Sequence, residues 1–352
     1  MRRFLIIDIY NLFFRGLHTI NVNDSEELQN GMLLHMMFNM MKKACEKFKP
    51  QHLVICTDGH KSWRKNVYYA YKANRLERLQ ERSPFDALRE DRLKEIFTSS
   101  LLPFLKDNTN ATFLGCDYAE ADDLVARFIK KHSNDICIIM STDNDYVQLL
   151  NDNVVLYNSM EGRIITNKCI VTDDDKKTPL KFGIKDGKIM ISKTDNVVQT
   201  ADDLIPMKDW VEYALFSKCI RGDKSDNIIS AFPRVREAST KKQIGMLDAF
   251  NDRKEKGYNW QSFMNSTWTN PLGEKKLVKE CYEFNKKIID LNEIPDELCQ
   301  KIDNTIDEEI NREKKASVGF YLTKYLKKWK LERMLQNIQV LSEYFDSPYS
   351  KE

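Results

Sequence analysis

The segment Tyr118–Val147 reads Y-A-E-A-D-D-L-V-A-R-F-I-K-K-H-S-N-D-I-C-I-I-M-S-T-D-N-D-Y-V. Its first half has the spacing of an amphipathic helix. Ala121, Leu124, Val125, Phe128 and Ile129 fall on one stripe. At about 100° per residue, Glu120 and Asp122 flank that stripe and Asp123 points away from it. Ile136–Met140 then has the length and apolarity of a buried strand, and S-T-D-N-D follows directly. An acidic loop after a buried strand lies where open α/β sheets build their sites, at the strand's carboxyl end. Carboxylates this close repel one another and resist joint ionisation without a counter-charge. A divalent cation held by oxygen ligands is the simplest one.

The same pattern recurs upstream. Phe4–Ile7 reads as a buried strand ending at Asp8. Leu53–Cys56 is a second, followed by Thr57-Asp58-Gly59. Ala111–Leu114 is a third and leads into the helix that carries Glu120 and Asp122. Strands separated by helical segments predict an α/β fold with a mostly parallel, doubly wound sheet. A single acid after a strand is ordinarily a cap or a turn former. Repeated at several strand ends, the acids converge on one edge of such a sheet. Asp8, Asp58, Glu120, Asp122, Asp143 and Asp145 are therefore expected to meet in space as a metal site.

The totals set outer limits. With 352 residues the chain has material for about two domains. A net charge of +2 assigns no partner, so local patches matter more. Eight cysteines show no C-x-x-C spacing, which argues for reduced thiols and against a disulfide scaffold. No apolar run approaches a membrane span. The short apolar start after Arg2-Arg3 is interrupted by Asp8, unlike a signal peptide. A cytoplasmic protein is the expectation.

Between the second and third strands the chain changes character. Lys61–Leu76 carries five Lys/Arg and no acid, interleaved with Trp63, Tyr68, Tyr69 and Tyr71. Basic residues mixed with aromatics suit a nucleic-acid backbone and unpaired bases. A solvated helix with its aromatics inward is the alternative. Ser83-Pro84-Phe85-Asp86 is a helix start, with N-cap, proline and first-turn acid in place. Gly31–Phe48 reads as a helix whose methionines fill the core. Short strands are expected at Val154–Tyr157, Ile164–Thr166 and Ile189–Ser192, with turns at Glu161-Gly162-Arg163 and Asp186-Gly187-Lys188. Asp173-Asp174-Asp175 reads as a solvated loop. From Pro206 onward the pattern is helical. Met207–Ile220 ends at Arg221-Gly222, with glycine as the cap, and Asp223-Lys224-Ser225-Asp226-Asn227 follows. Lys314–Leu331 is a second basic-aromatic segment, with six lysines and no acid. The expected division is an α/β domain over residues 1–205, with a β-rich insertion at 158–203, and a helical, duplex-binding domain over 206–352.

Taken together, L-I-I-D-I-Y-N, C-T-D-G, E-A-D-D-L-V-A, S-T-D-N-D and R-G-D-K-S-D-N resemble, in order and separation, the 5′-nucleases of the flap endonuclease family. The likeness is greatest to phage members that combine 5′→3′ exonuclease, ribonuclease H and flap endonuclease activity. Y-A-Y-K-A-N-R at Tyr69–Arg75 is similar to the family's Y-K-x-N-R segment leading into a helical arch, here 61–102. I-I-D-L-N-E-I-P-D at Ile288–Asp296 resembles the phage C-terminal domain.

The resemblance implies two Mg²⁺ positions, with Mn²⁺ as a substitute. One is held by Asp8, Asp58, Asp122 and Asp143, the other by Glu120, Asp145, Asp223 and Asp226. Asp123 occupies a position that is also acidic in relatives. Lys72 and Arg75 are implied to contact the scissile phosphate, and Tyr71 to stack on the terminal base. Arg64 and Lys65 lie in the first basic segment. Family members often follow G-D-x-S-D-N with a glycine-rich hairpin. Here that glycine pattern is missing, so duplex binding is assigned to Arg234, Arg236, Lys241 and Lys242.

The implied partners are DNA and RNA–DNA duplexes with 5′ ends or flaps, a sliding clamp and a single-strand-binding protein, with the nuclease itself a monomer. Two other classes remain open. An aspartyl phosphatase would want a second acid two residues after Asp8, where Tyr10 stands. A non-catalytic DNA-binding descendant would have lost carboxylates that this chain keeps.

Overall fold

The computed structural model describes residues 1–168, 170–172, 181–185, 188–192, 197–198 and 209–350. They group into two units. The first joins Met1–Lys61, Arg82–Gln199 and Asp296–Glu352; the second joins Ser62–Glu81 and Thr200–Pro295.

The first unit is built on an eight-stranded sheet. Its strands are β1 (Arg3–Asp8), β2 (His52–Cys56), β3 (Thr112–Leu114), β4 (Ile136–Met140), β5 (Val154–Asn158), β6 (Arg163–Ile165), β7 (Ile170–Thr172) and, after a separate hairpin of β8 (Lys181–Lys185) with β9 (Lys188–Ser192), β10 (Val197–Val198). Their spatial order is β10-β7-β6-β5-β4-β1-β2-β3. β1 pairs in parallel with β2 and β4, β2 with β3, and β4 with β5. β5–β6, β6–β7 and β7–β10 are antiparallel. The chain leaves β1 towards β2 and β3 on one side and resumes with β4 on the other. The seam between β1 and β4 is therefore the topological switch point, where sheets of this type open a crevice at their carboxyl ends.

Both faces of the sheet are covered, which is why its parallel strands read as continuous apolar runs. Alternation assigns the faces. Leu5, Ile7, Leu53, Ile55, Ile138 and Met140 join a core with the helices Ile9–Thr19, Glu26–Phe48 and Val318–Lys328. Phe4, on the opposite face, meets Phe128 edge-on at 5.2 Å, and Phe128 stacks on His132 at 3.9 Å. In the second helix Met37, Met40 and Met41 are buried core filler as expected, and Met36 packs against that core partly buried. Ser83 caps Pro84–Ile96 as its sequence predicts, its hydroxyl accepting from the Asp86 amide at 3.1 Å.

The division into units differs from the expected 1–205 and 206–352. The last stretch returns to the sheet. Asp296–Ile310 packs on Ala121–Lys131 and on β3, burying Leu298, Ile302 and Ile306. Arg127 pairs with Asp303, and Lys131 with Asp307 at 2.7 Å. The reason lies in those apolar positions at helical spacing, which need a partner surface and find it beside an edge strand. The segment 61–102 is likewise divided, its first part grouping with the helical unit. Asp173-Asp174-Asp175, the first two residues of the turn at Asp186, and Met207 lie outside the described residues.

The second unit is helical. Its core gathers Tyr213, Phe216 and Ile220 from Trp210–Arg221, Met246 and Phe250 from Met246–Asn251, Phe263 from Tyr258–Met264, and Val278, where Val278–Ile289 begins.

Ile302 is fully buried on the returning helix. Ile302→Ala is expected to lower the unfolding free energy by about 2–5 kcal/mol, measured by urea denaturation. A change under 1 kcal/mol would contradict the packing of 296–310 described here.

Candidate active site

The sheet unit carries its acids at the carboxyl ends of β1, β2 and β4 and on the helix after β3. Asp8 ends β1 and caps the next helix, accepting from the Asn11 amide at 3.0 Å. Its other oxygen receives the Tyr146 hydroxyl at 3.0 Å and lies 3.4 Å from the Ser141 hydroxyl. Burial, then the nearby Asp58 carboxylate and, more weakly, Asp143, push the Asp8 carboxyl up to about 7. The Asn11 and Tyr146 hydrogen bonds oppose the rise. Asp58 accepts from the Ala121 amide at 2.8 Å, tying the β2 end to the helix start. Gly59 makes that approach possible: a Cβ there would lie 2.3 Å from the Cys116 carbonyl oxygen and 2.9 Å from that of Ala119.

Asp122 accepts from the Asp123 amide at 2.8 Å. Asp143 receives the Asp145 amide at 2.9 Å, shaping the short helical turn Asn144–Leu149. Tyr146 lies within the field of Asp8, Asp122 and Asp143. Burial first, then those carboxylates, hold its phenol well above its ordinary pKa, so it remains a protonated donor. Asp8 thus feels Asp58 and Asp143, and Tyr146 feels Asp8, Asp122 and Asp143. These four are the acids assigned to the first metal position. An all-oxygen set, partly buried and mutually repelling, is the donor chemistry that suits Mg²⁺ or Mn²⁺.

Asp123 has another task. It is fully buried and faces the fold, contrary to the helical-wheel placement. Its Oδ2 accepts from the Glu120 amide at 2.9 Å, and the two acids form a capping box. That satisfies an orphan donor at the helix start and gives the buried Asp123 carboxylate a structural task. Tyr146, Ser141 and Asn11 were missed by the sequence reading, although Asn11 and Tyr146 sit inside or beside the motifs quoted. The Asn11 carboxamide also accepts from the Thr142 amide at 3.0 Å, joining the β1 and β4 loops.

Of the other set, Glu120 and Asp145 belong to the sheet unit, and Asp223 and Asp226 to the helical unit. Gly222, at φ +73°, turns the chain out of Trp210–Arg221; a Cβ there would lie 2.4 Å from the Ile228 carbonyl oxygen. Asp223 and Ile228 then close the loop with backbone hydrogen bonds of 2.9 and 2.7 Å. Asp223 pairs with Lys218 at 2.8 Å. Burial pushes its carboxyl up, but Lys218 and Ser225 outweigh this and bring it down to about 2. Asp226 accepts from the Tyr71 hydroxyl at 3.0 Å and from Arg75 at 2.8 Å, with the Lys72 ammonium 3.8 Å away. Lys72 has φ +57°, and its amide donates to the Asp226 carbonyl at 3.0 Å. Y-K-A-N-R and D-K-S-D-N thus assemble into one cluster.

Two nucleic-acid assignments change. Tyr71 is buried against Cys219, Ile228 and Ile288. Its ring is a packing element, while Tyr69, two residues earlier, is 93% exposed. Arg64 is buried as well: its Nε donates to the Ile288 carbonyl at 2.9 Å and its guanidinium lies over Trp63. It is an internal strut, and buried side chains at this point satisfy the alternative reading of the first basic segment in part. Lys65, Arg75, Arg234, Arg236, Lys241 and Lys242 are exposed.

A sheet of this order with acids at its switch point has the donor set for metal-assisted phosphoryl chemistry, and the similar proteins are nucleases. Residues 3–176 match the 5′-3′ exonuclease, N-terminal resolvase-like domain. The flap endonuclease Xni of Shewanella loihica is 33% identical over 172 residues, 47% of this chain and 59% of the relative. A 5′-3′ exonuclease of Aquifex aeolicus is 25% identical over 265 residues, 74% of this chain and 71% of that one. The bacteriophage T5 D15 flap endonuclease, solved in a pseudo-enzyme-product complex with DNA and metal ions, has a TM-score of 0.55. It is 19% identical and covers 88% of this chain and 99% of its own. The T5 5′-exonuclease with bound zinc also gives a TM-score of 0.55. Residues 3–176 thus carry the N-terminal domain of the 5′-3′ exonuclease/flap endonuclease family, and the chain has the fold of the T5 nuclease structures. It spans about three fifths of the length of the Xni relative.

In metal-free protein, Asp8 favours the protonated form when folded, against an ordinary 3.8. Its contribution to stability is therefore complete below about pH 4 and is lost as the pH rises towards 7. With EDTA present, Asp8→Asn is expected to be about 2–4 kcal/mol more stable than wild type at pH 8 and to lose that advantage at pH 4. Chemical denaturation at the two pH values measures it; equal stability at both would contradict the strained carboxyl.

Proposed function

We propose that the protein is a divalent-metal-dependent 5′-nuclease. It hydrolyses phosphodiesters near the 5′ ends of DNA–DNA and RNA–DNA duplexes and at 5′ flaps, leaving 5′-phosphates. The observation that carries this reading is the set of Asp8, Asp122 and Asp143 around one buried tyrosine, with Asp58 beside Asp8, at the sheet's switch point. The family match over residues 3–176 and the activities of the similar proteins support it.

Asp8, Asp58, Asp122 and Asp143 hold one Mg²⁺. For a second ion the motif resemblance assigns Glu120, Asp145, Asp223 and Asp226. Bound metal supplies a water activated at neutral pH and charge stabilisation for an in-line displacement. The chain's own part is to place groups. Tyr146 donates to one oxygen of Asp8 while the Asn11 amide holds the other, which together fix the orientation of the carboxylate. Lys72 and Arg75, held by Asp226 in the helical unit, bring positive charge to the phosphate and stabilise what develops on it. Arg234, Arg236, Lys241 and Lys242 carry the duplex backbone through salt-dependent contacts. The exposed Tyr69, rather than Tyr71, is the ring available to a terminal base.

The role that fits this chemistry is removal of RNA primers and 5′ flaps during phage DNA replication. The enzyme would act as a monomer in the host cytoplasm, alongside a sliding clamp and a single-strand-binding protein. Among the described residues no helix is long and apolar enough to cross a membrane.

The test is a 5′-labelled primer-template incubated with Mg²⁺. Short 5′ products are expected; none at any enzyme concentration would refute the activity. Asp143→Asn and Lys72→Ala are expected to lower turnover by at least 10³-fold, on the order of the loss of a key electrostatic group, without unfolding. In a separate readout, Mn²⁺ should raise the melting temperature of wild type but not of Asp143→Asn. Equal shifts in both would remove Asp143 from the ligand set.

A further inference from the structure

The nuclease reading leaves the second basic-aromatic segment, Lys314–Leu331, without a task. In the fold it forms Val318–Lys328, a helix of the sheet unit with two sharply different faces. Val318, Leu322, Tyr325 and Leu326 are buried. Phe320, Tyr321, Lys324, Lys327 and Lys328 are all exposed and fall within roughly 120° of the helix circumference. Phe320 is 66% and Tyr321 43% exposed, and their rings meet edge-on at 5.6 Å. Ammonium groups at positions 324, 327 and 328 continue the same stripe along the helix. A face kept only for solubility has no use for two adjacent solvated rings at the head of three lysines.

We infer that this face is a docking surface for single-stranded nucleic acid, separate from the carboxylate centre. Lysines spaced along a helix meet successive phosphates, and exposed rings give unpaired bases a surface to stack on. Charge chooses a polyanion, since no acid occurs from Lys314 to Leu331. The rings choose an occupant with accessible bases over a duplex, whose bases are already stacked. The preference for nucleic acid over another polyanion rests on the nuclease reading.

The experiment measures fluorescence anisotropy of a labelled oligothymidylate in EDTA, where no cleavage occurs. The variants are Phe320→Ala/Tyr321→Ala and Lys324→Ala/Lys327→Ala, each checked for a native melting temperature. The aromatic pair is expected to weaken binding about tenfold. The lysine pair should lower the slope of log K against log salt by about 1.4, since each single-strand phosphate contact contributes about 0.7. Both changes should leave binding of a blunt duplex as in wild type. Unchanged single-strand affinity in both folded variants overturns the proposal, whatever the cleavage assay shows. Intact single-strand binding with no cleavage by wild type would overturn the nuclease reading alone.

Discussion

Mutual repulsion among carboxylates gathered around one buried member, Asp8, is the constraint on which the rest of this structure turns. Asp8 is drawn into the protein by its place at the end of a central strand, and Asp58 and Asp143 arrive from the strands on either side. None of these acids can move away, because each is fastened by backbone amides: Asp8 by Asn11, Asp58 by Ala121, Asp143 by Asp145. The fold thus holds together charges that would otherwise separate. Such an arrangement stores an affinity for whatever cation can satisfy it.

The supporting residues have one effect in common, which is to remove freedom. Tyr146, buried and kept protonated, donates to Asp8 and is itself placed by the turn that Asp143 caps. Asn11 links the first loop to the fourth-strand loop through Thr142. Asp123 spends its carboxylate on the Glu120 amide and so sets where the helix begins, which in turn sets where Asp122 stands. In the helical unit Asp226 does for Lys72 and Arg75 what the amides do for the acids: it orders side chains that would otherwise be mobile, and it also receives the buried Tyr71 hydroxyl.

Much of this was legible in the sequence, because periodicity and strand-end position are local properties. The strands from Phe4 to Met140, the Ser83 cap and the glycine after Arg221 all appear as read. The acids at those strand ends could be named for the same reason, whereas their division into two metal positions rests on the family resemblance alone. What escaped was decided by tertiary contact. Asp123 differs from Asp122 only in the direction its side chain takes once the helix is docked. Tyr71 and Arg64 look like surface residues in a basic run, but apolar neighbours far along the chain, Ile228 and Ile288, bury them. The return of Asp296–Glu352 to the sheet depends on which surface is left open beside β3, and no local pattern states that.

That return has a bearing on how the molecule is made. β3 is the last strand on its side of the sheet, and the helix that packs beside it begins at Asp296. During synthesis the ribosome delivers β1 through β4 well before this cover. At about 5–20 residues per second, roughly 10–40 s pass between the emergence of Leu114 and that of Ile306. Throughout that interval a nascent sheet stands with one border unguarded, the kind of border that invites pairing with another chain. The three-residue length of β3 keeps that opening narrow until its shield has been translated.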